Sequence, residues 1–238
     1  MKKLCITVML LACIVVIPLH GQKPPMKLGK VSREWVEMEY FEKDSSADAV
    51  IICEYGDFNP RQFTFTWYTR YKIFSREGLN YLLFDVPVAS KQLVKGYVYN
   101  MVDGKVERTK ITNDCLYKDR VIGSHVRMRV APPNARKGSV IDIRWSKEGY
   151  PAVWRFQRTI PVVHSELRMP ENTYVSFKRN MVGHEPLSYS SSYRWVAKDM
   201  PAFHPEPYIN SKNNYMTSMH TEVADVRIPG LYVNYAKT

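Results

Sequence analysis

The segment QFTFTWYTRYKIF, residues 62–74, alternates between apolar and polar side chains with a period of two. The odd positions that carry the apolar side chains are Phe63, Phe65, Trp67, Tyr71 and Ile73. The even positions that carry the polar side chains are Gln62, Thr64, Thr66, Arg70 and Lys72. Because successive side chains of a strand point to opposite faces, this pattern predicts a long β-strand with one buried face and one solvent-exposed face.

Most of the remaining chain also reads as short strands. A hairpin is predicted around Asp103-Gly104, a dipeptide suited to a turn that needs positive φ. Ser32 is a plausible N-cap for one short helix in REWVEMEYF, with Trp35 and Met38 one turn apart. The other predicted strand regions are AVIICEY, LNYLLFDVPV, HVRMRV, VIDIRW, TYVSFKRN, YSSSYRWVAK and YMTSMHTEVADVRI. This organisation predicts an all-β fold, an antiparallel β-sandwich with one short N-terminal helix.

The first residues have the pattern of a secretory signal peptide. Lys2 and Lys3 precede an apolar run from residue 4 to 19, and the small residue Gly21 is suited to the position before a cleavage site. We expect residues 1–21 to be the signal peptide, 22–31 a lead-in segment and 32–238 the β-sandwich domain. The product is then periplasmic or in the cell envelope. Lipoprotein anchoring at Cys13 is the less favoured alternative, because Leu11 is bulky for such a site.

The charge balance bears on the partners of the mature chain. Two of the 34 Lys and Arg residues lie in the signal, which leaves 32 against 23 acidic residues and a net charge of +9. Such a balance favours anionic partners, but the cations are scattered, and we expect no nucleic acid partner. No later segment is apolar enough to span a membrane. Cys53 and Cys115 remain after cleavage, and they either form one disulfide or act as separate small hydrophobic side chains.

The segment HVRMRV contains a candidate anion-binding row. Arg127 and Arg129 share one face of the predicted strand, and Met128 and Val130 belong to the other. If this strand neighbours the strand around Asp142, the arginines pair with that carboxylate across the sheet, which is the favoured interpretation. The alternative is a row of arginines that binds an anion.

The segment WRFQRTIPVVHSEL places His164, Ser165 and Glu166 in a row, as a hydrolase site would. On an extended strand His164 and Glu166 share one face and Ser165 points to the other, so the histidine does not activate the serine. The sequence also lacks H-x-x-x-H and C-x-x-C patterns that would add metal ligands. We therefore predict no catalytic residue, no metal ligand and no cofactor at this segment.

Several segments together resemble a family of unknown function from exported Gram-negative bacterial proteins, whose members usually precede a transglutaminase-like domain. The similar segments are DSSADAVIICEYGDF, RYKIFSREG, YVYNMVDGKV, RVAPPNARKGSVIDIRW, WRFQRTIPVVHSEL and MPAFHPEPY, in that order across residues 32–230. The resemblance implies an all-β N-terminal domain without assigned catalytic residues. This chain ends at PGLYVNYAKT, where the transglutaminase-like module is expected to begin, so the resemblance transfers no enzymatic property.

These observations favour a non-catalytic domain of the cell envelope that binds a protein or a glycan. The candidate contact surface is the loop MPAFHPEPYIN, in which prolines stiffen the backbone around Phe203, His204, Glu206 and Tyr208. Sixteen tyrosines and five tryptophans offer stacking surfaces for a glycan, although aromatic side chains also fill sandwich cores. The alternatives are a thiol hydrolase that uses Cys115 and an accessory domain of a separately encoded transglutaminase-like protein. No feature of the sequence sets an oligomeric state.

Overall fold

A computed structural model describes residues 23–87, 94–122, 125–171, 173–205 and 211–235. The predicted signal peptide and its cleavage site lie outside these residues. Within them the chain is built of strands, with one short α-helix and three 3-10 turns at 77–81, 113–115 and 212–214. The predicted all-β fold with a short N-terminal helix is confirmed.

The helix α1 spans Arg33–Glu37 and begins after Ser32, as predicted. Ser32 has the extended backbone of an N-cap, but its side chain makes no capping hydrogen bond. The helix ends at Glu37, earlier than the apolar spacing indicates, because Met38 already leaves the helical region. Val36 is its buried residue, and Trp35 and Met38 pack beside it against the sheet.

Fifteen strands follow in the described chain. In chain order they are β1 (Ala49–Asn59), β2 (Thr64–Ile73), β3 (Leu83–Pro87), β4 (Lys95–Val102), β5 (Lys105–Ile111), β6 (Leu116–Ile122), β7 (His125–Val130), β8 (Val140–Glu148), β9 (Val153–Arg155), β10 (Val162–Arg168), β11 (Val175–Val182), β12 (Tyr189–Ser190), β13 (Arg194–Met200), β14 (Ser218–Ile228) and β15 (Leu231–Asn234). The predicted hairpin is confirmed between β4 and β5, where Asp103 and Gly104 both have positive φ, 46° and 73°.

The strands form three sheets. The largest has eight strands in the order β12-β13-β10-β1-β2-β8-β4-β5, antiparallel except for the parallel pair of β1 and β10. A second sheet has the order β11-β14-β15, with β9 paired to β14. The third has the order β3-β7-β6. The predicted long strand, β2, is central in the largest sheet and pairs with β1 and β8 along its whole length.

The main hydrophobic core joins all three sheets. Phe65 and Ile141 enter it from the eight-stranded sheet, Trp154 and Phe177 from the four-stranded sheet, and Val130 from the three-stranded sheet. The two smaller sheets therefore pack on one face of the largest one, in the layered arrangement of a sandwich. We call this side of the eight-stranded sheet the first face.

The opposite, second face of the eight-stranded sheet has a core of its own. Met26 of the lead-in segment and Val36 of α1 pack there with Val50, Tyr55 and Tyr99. The lead-in residues thus belong to the folded body from Lys23 onward. They cover the part of β2 that carries Arg70 and Lys72.

The prediction that Arg70 and Lys72 lie on a wet face is therefore wrong. Arg70 is 7% exposed and Lys72 is fully buried, because the lead-in segment and α1 lie over them. Arg70 is satisfied by Asp142 of β8, to which its Nε donates at 2.6 Å. Lys72 Nζ donates to the carbonyl oxygens of Val36 and Gly138 at 2.8 and 2.7 Å.

Gly56 of β1 is tightly packed on the first face. A Cβ atom at this position would lie 2.2 Å from Phe65 Cζ and 2.6 Å from Trp154 Cζ3. We expect Gly56→Ala to lower the free energy of unfolding by about 2 kcal/mol, as overpacking of a buried site does. Denaturant titration checks this, with the exposed Glu107→Ala in β5 as a control expected within about 0.5 kcal/mol. Equal values for the two variants contradict the prediction.

Candidate functional site

A cleft of about 270 Å³ opens between the turn after α1 and the segment after β13. The residues that line it are Phe41, Lys43, Asp44, Pro161, Asp199, Met200, Pro201, Ala202 and His204. The last five of these include the start of the loop that the sequence predicted as a contact surface. Pro161 and Met200 are buried and form apolar wall, whereas Lys43, Asp199 and His204 are exposed.

Backbone hydrogen bonds hold the β13 side of the cleft in place. The amide of Phe203 donates to the carbonyl oxygen of Arg158 at 2.7 Å. Gln157 Nε2 donates to the carbonyl oxygen of Pro201 at 3.3 Å, and the oxygen of the same amide accepts from the Thr217 amide. Asp199 has φ 53°, a left-handed conformation in which Asp is more common than most residues. The segment is therefore fixed before any ligand arrives.

The opposite wall is a turn that closes on itself. The amide of Asp44 donates to the carbonyl oxygen of Phe41 at 3.0 Å. Asp44 Oδ1 accepts from the amide and the hydroxyl of Ser46 at 3.2 and 2.8 Å. Phe41 is half-buried and packs against the second-face core. This wall is thus anchored to the sheet through an aromatic ring that also borders the cleft.

One ion pair links the two walls across the cleft. Lys43 Nζ lies 2.8 Å from Asp199 Oδ1, and both side chains are more than half exposed. Such a pair contributes less than about 1 kcal/mol to stability. A charged group of a ligand can therefore take the place of Lys43 or of Asp199 in this ion pair.

The predicted contact loop is partly within the described chain. His204 is exposed and lines the cleft. Phe203 is half-buried, and in the part of the chain that the structure describes it belongs to neither hydrophobic core. Glu206 and Tyr208 lie outside the described residues. Sequence reasoning missed Phe41, Lys43 and Asp199, which carry no local pattern that indicates a site.

The row of His164, Ser165 and Glu166 lies on β10 as predicted, with neighbouring side chains on opposite faces. Ser165 is buried on the first face, where its Oγ accepts from Trp154 Nε1 at 3.2 Å. His164 Nε2 lies 3.2 Å from Glu166 Oε2 on the second face. Arg168 and Arg194 also bind Glu166, with nitrogen–oxygen distances of 2.5 to 2.9 Å. Ser165 and His164 therefore lie on opposite faces of the sheet, and Glu166 is at the centre of an ionic cluster.

The expected neighbourhood of Arg127, Arg129 and Asp142 is wrong. Arg127 and Arg129 lie on β7, which pairs with β3 and β6 in the three-stranded sheet. Asp142 lies on β8 of the eight-stranded sheet, where its register partners are Arg70 and Tyr97. The carboxylate is fully buried and bonded to Arg70, so it does not neutralise the β7 arginines. Arg129 is exposed, and the side chain of Arg127 is outside the described part.

Both cysteines of the described chain are free thiols. Cys53 is buried with the second-face core, whereas Cys115 is half-buried against the first-face core. Of the two alternatives, the structure favours separate hydrophobic side chains over a disulfide. Burial raises the pKa of the Cys53 thiol to about 12, so Cys53 carries no thiolate near neutral pH.

Comparison with known proteins shows a likeness in fold to a solved structure. No protein-family profile matches the sequence, and no curated protein matches it. A crystal structure of a Parabacteroides distasonis protein, proposed to be a protease, superposes with a TM-score of 0.52 at 15% identity. The match covers 73% of this chain and 40% of that one, so this chain spans well under half the length of that protein. At this identity the likeness concerns the fold alone.

Two structures of yeast LTA4 hydrolase, native and with bestatin, also align with the chain. Their TM-scores are 0.34 and 0.33 at 7% and 6% identity, over 76% of this chain and 30% of theirs.

Among the described residues, no group of three or more His, Cys, Asp or Glu side chains is placed to hold a metal ion. In the same residues, no helix has the length and apolar character needed to cross a membrane.

Proposed function

We propose that this protein is a non-catalytic binding module, exported to the cell envelope, that holds an extended segment of a protein partner. The observation that carries the proposal is the cleft between residues 41–44 and 199–204. The cleft includes the start of the proline-containing loop that the sequence predicted as a contact surface. The predicted signal peptide and the family resemblance support the envelope location.

The chemistry of the cleft suits a peptide. Its walls combine Phe41, Met200 and prolines with both signs of charge, from Lys43, Asp44 and Asp199. Binding sites of this kind are mostly apolar, with a few fixed polar groups that orient the ligand. A volume of about 270 Å³ lies just below the usual range for small-molecule sites and suits one or two side chains of a peptide.

Preorganisation favours binding at this cleft. The β13 side is tied to residues 157 and 158 by hydrogen bonds, and Pro201 fixes φ at the point where the strand ends. A site that is already ordered loses little conformational entropy when a ligand enters. The exposed ion pair between Lys43 and Asp199 can exchange for ion pairs with the ligand at little cost.

Selection from a phage-displayed library of random linear peptides tests the proposal. We expect the enriched peptides to bind the wild-type protein at least ten times more tightly than the double variant Phe41→Ala with His204→Ala. The matched control is Tyr40→Ala with His184→Ala, which removes an exposed aromatic ring and an exposed imidazole outside the cleft. Isothermal titration calorimetry with synthetic peptides provides the affinities.

Two results contradict the proposal. One is that no peptide is enriched above the background of an unrelated β-sandwich. The other is that enriched peptides bind the cleft variant as tightly as they bind the control variant. Thermal unfolding of all three proteins shows whether the cleft variant remains folded. Because Phe41 is half-buried, the single variant His204→Ala, at an exposed site, repeats the test with little change in packing.

A further inference from the structure

Six cationic residues lie on the second face of the eight-stranded sheet toward its β5 edge, on β4, β5, β8 and the lead-in segment. We call this group the basic patch, and it consists of Lys27, Lys30, Lys95, Arg108, Lys110 and Arg144. All are exposed except Arg144, which is half-buried. None of them lines the cleft, so the patch is a separate surface.

The strand register brings the four sheet residues of the patch together. Lys95 of β4 pairs directly with Arg144 of β8. Two residues further along β4, Tyr97 pairs with Lys110 of β5. Arg108 is two residues from Lys110 and therefore shares its face, and its guanidinium lies 4.7 Å from the centre of the Tyr97 ring. Tyr97 itself packs against the second-face core, which identifies the face.

The lead-in segment adds two lysines to the same place. Arg70 Nη2 donates to the carbonyl oxygens of Lys27 and Lys30 at 3.2 and 2.6 Å. Between them, the Gly29 amide donates to Asp142 Oδ2 at 3.3 Å, and the Gly29 carbonyl accepts from Arg108 Nη1 at 3.1 Å. The turn at residues 27–30 is thus fixed by its backbone, and its lysine side chains are left exposed.

The charge of the basic patch is not neutralised by the protein. The acidic side chain beneath it, Asp142, is fully buried and accepts from Arg70, Tyr99 and Gly29. Across the described ranges, none of the six patch residues takes part in an ion pair. Several like charges on one small surface repel each other, and an anionic ligand relieves this repulsion.

Two arginines of the patch are oriented in advance. Arg144 Nε donates to the Tyr68 hydroxyl at 2.9 Å, and its guanidinium lies 5.4 Å from the centre of the same ring. The two terminal nitrogens of Arg144 make no hydrogen bond to the described residues. They can therefore bind a ligand while Nε holds the side chain in place. Arg108 is held in a similar way by Tyr97 and by the Gly29 carbonyl. Fixed guanidinium groups bind carboxylates in a bidentate manner.

We propose that the basic patch binds an acidic polysaccharide through the carboxylates of its sugars. The cations project from the face of the sheet and not along the edge of β5, so a peptide added as an extra strand would not reach them. Arg144 is half-buried beside Tyr68, which favours a narrow polymer over a flat membrane surface as its partner. The tyrosine hydroxyls and rings next to the arginines match the hydroxyls and apolar faces of sugars.

Calorimetric titration with an oligogalacturonate of defined length tests the proposal on the whole exported chain. We expect Lys95→Gln with Lys110→Gln to weaken binding at least tenfold, because two carboxylate partners are lost. The matched control, Lys178→Gln with Lys198→Gln, changes the net charge equally at exposed lysines outside the patch and is expected to weaken it less than twofold. Arg144→Lys keeps the charge but removes the bidentate geometry, and we expect a loss of about fivefold.

Titrations with other ligands identify the class of ligand that the patch binds. The fully methyl-esterified oligogalacturonate, which lacks the charge, is expected not to bind. Equal binding of this neutral ligand overturns the proposal, and so does an equal loss in the patch and control variants. Binding of inorganic polyphosphate or phosphatidylglycerol vesicles in place of oligogalacturonate also overturns it. The substituted lysines are exposed, so the thermal midpoints of these variants are expected to equal that of the wild type within about one degree.

Discussion

Asp142→Ala is expected to lower the free energy of unfolding by about 3–5 kcal/mol, since it breaks a buried ion pair and leaves one charge without its partner. Arg70 donates to both oxygens of this carboxylate at 2.6 and 2.8 Å. The Asp142 side chain is fully buried, and that of Arg70 is 9% exposed. The Tyr99 hydroxyl and the Gly29 amide also lose their acceptor in the variant.

The position of the pair explains why the effect extends beyond β2 and β8. Arg70 also holds the turn at residues 27–30 through two backbone carbonyls. Without Asp142, the arginine is buried beneath the lead-in segment with no counter-charge. We therefore expect the lead-in segment to detach first, which hydrogen exchange at the amides of residues 26–31 would detect.

Two further variants make this prediction sharp. Glu37→Ala breaks the exposed pair with Arg33 on α1 and is expected to change stability by less than about 0.5 kcal/mol. The double variant Arg70→Met with Asp142→Leu removes both buried charges and is expected to recover at least half of the loss. A small effect of Asp142→Ala in denaturant titration, comparable to that of Glu37→Ala, would show that the pair is not buried in solution.

The alternation along β2 predicted the strand and its buried first face, but it did not predict the burial of the second face. On the first face, Phe65 and Ile73 are fully buried, as a period of two indicates. On the second face, Arg70 and Lys72 look solvent-exposed in the sequence because charged residues usually are. Their burial depends on a segment about 40 residues earlier in the chain, and no local pattern reports that contact. Burial lowers the pKa of Lys72 to about 8, which reflects the same cover.

Local sequence patterns also did not determine to which sheet each strand belongs. The strands β7 and β8 are consecutive in the chain, and consecutive strands are often neighbours in a sheet. Here they belong to different sheets, since β8 inserts between β2 and β4. Arg129 is therefore far in topology from Asp142, whereas Arg144 and Lys95 become direct partners. Which cationic side chains become neighbours therefore depends on a non-local strand order.

The cleft shows a similar division. The prolines correctly indicated an irregular segment after β13 at the described residues 201–205, because proline fixes φ and donates no hydrogen bond. The opposite wall at Phe41 and Asp44 is more than 150 residues away in the sequence. Its contribution follows from the path of the chain across the second face. An irregular segment is thus predictable from composition, while the surface that it forms with a distant turn is not.

Glu166→Gln is expected to lower the free energy of unfolding by about 3 kcal/mol at pH 7, because three basic groups share this one carboxylate. His164, Arg168 and Arg194 all approach its two oxygens within 3.2 Å. Glu166 is fully buried, and the basic side chains are between 14% and 21% exposed. The neutral amide retains the shape of the side chain but removes the charge that compensates the arginines.

The same cluster determines the response of stability to acid. Burial alone would raise the pKa of Glu166, but hydrogen bonds from His164, Arg194 and Arg168 outweigh it and hold the pKa well below its usual range. In the unfolded chain the carboxyl titrates at about 4.3. The stabilisation is therefore complete above that pH and is lost as the pH falls from there toward the lower pKa of the folded state.

We therefore expect the difference in stability between wild type and Glu166→Gln to be largest above pH 5 and to shrink steadily as the solution is acidified below pH 4. Glu171→Gln is the matched control, because Glu171 binds Arg179 through a side chain that is 56% exposed. This variant is expected to stay within about 0.5 kcal/mol of the wild type at every pH. Urea titrations between pH 3 and 7 measure all three proteins. A difference that remains constant over this range would mean that folding does not change the pKa of Glu166, and the contacts assigned to the ionic cluster would then not favour the charged carboxylate.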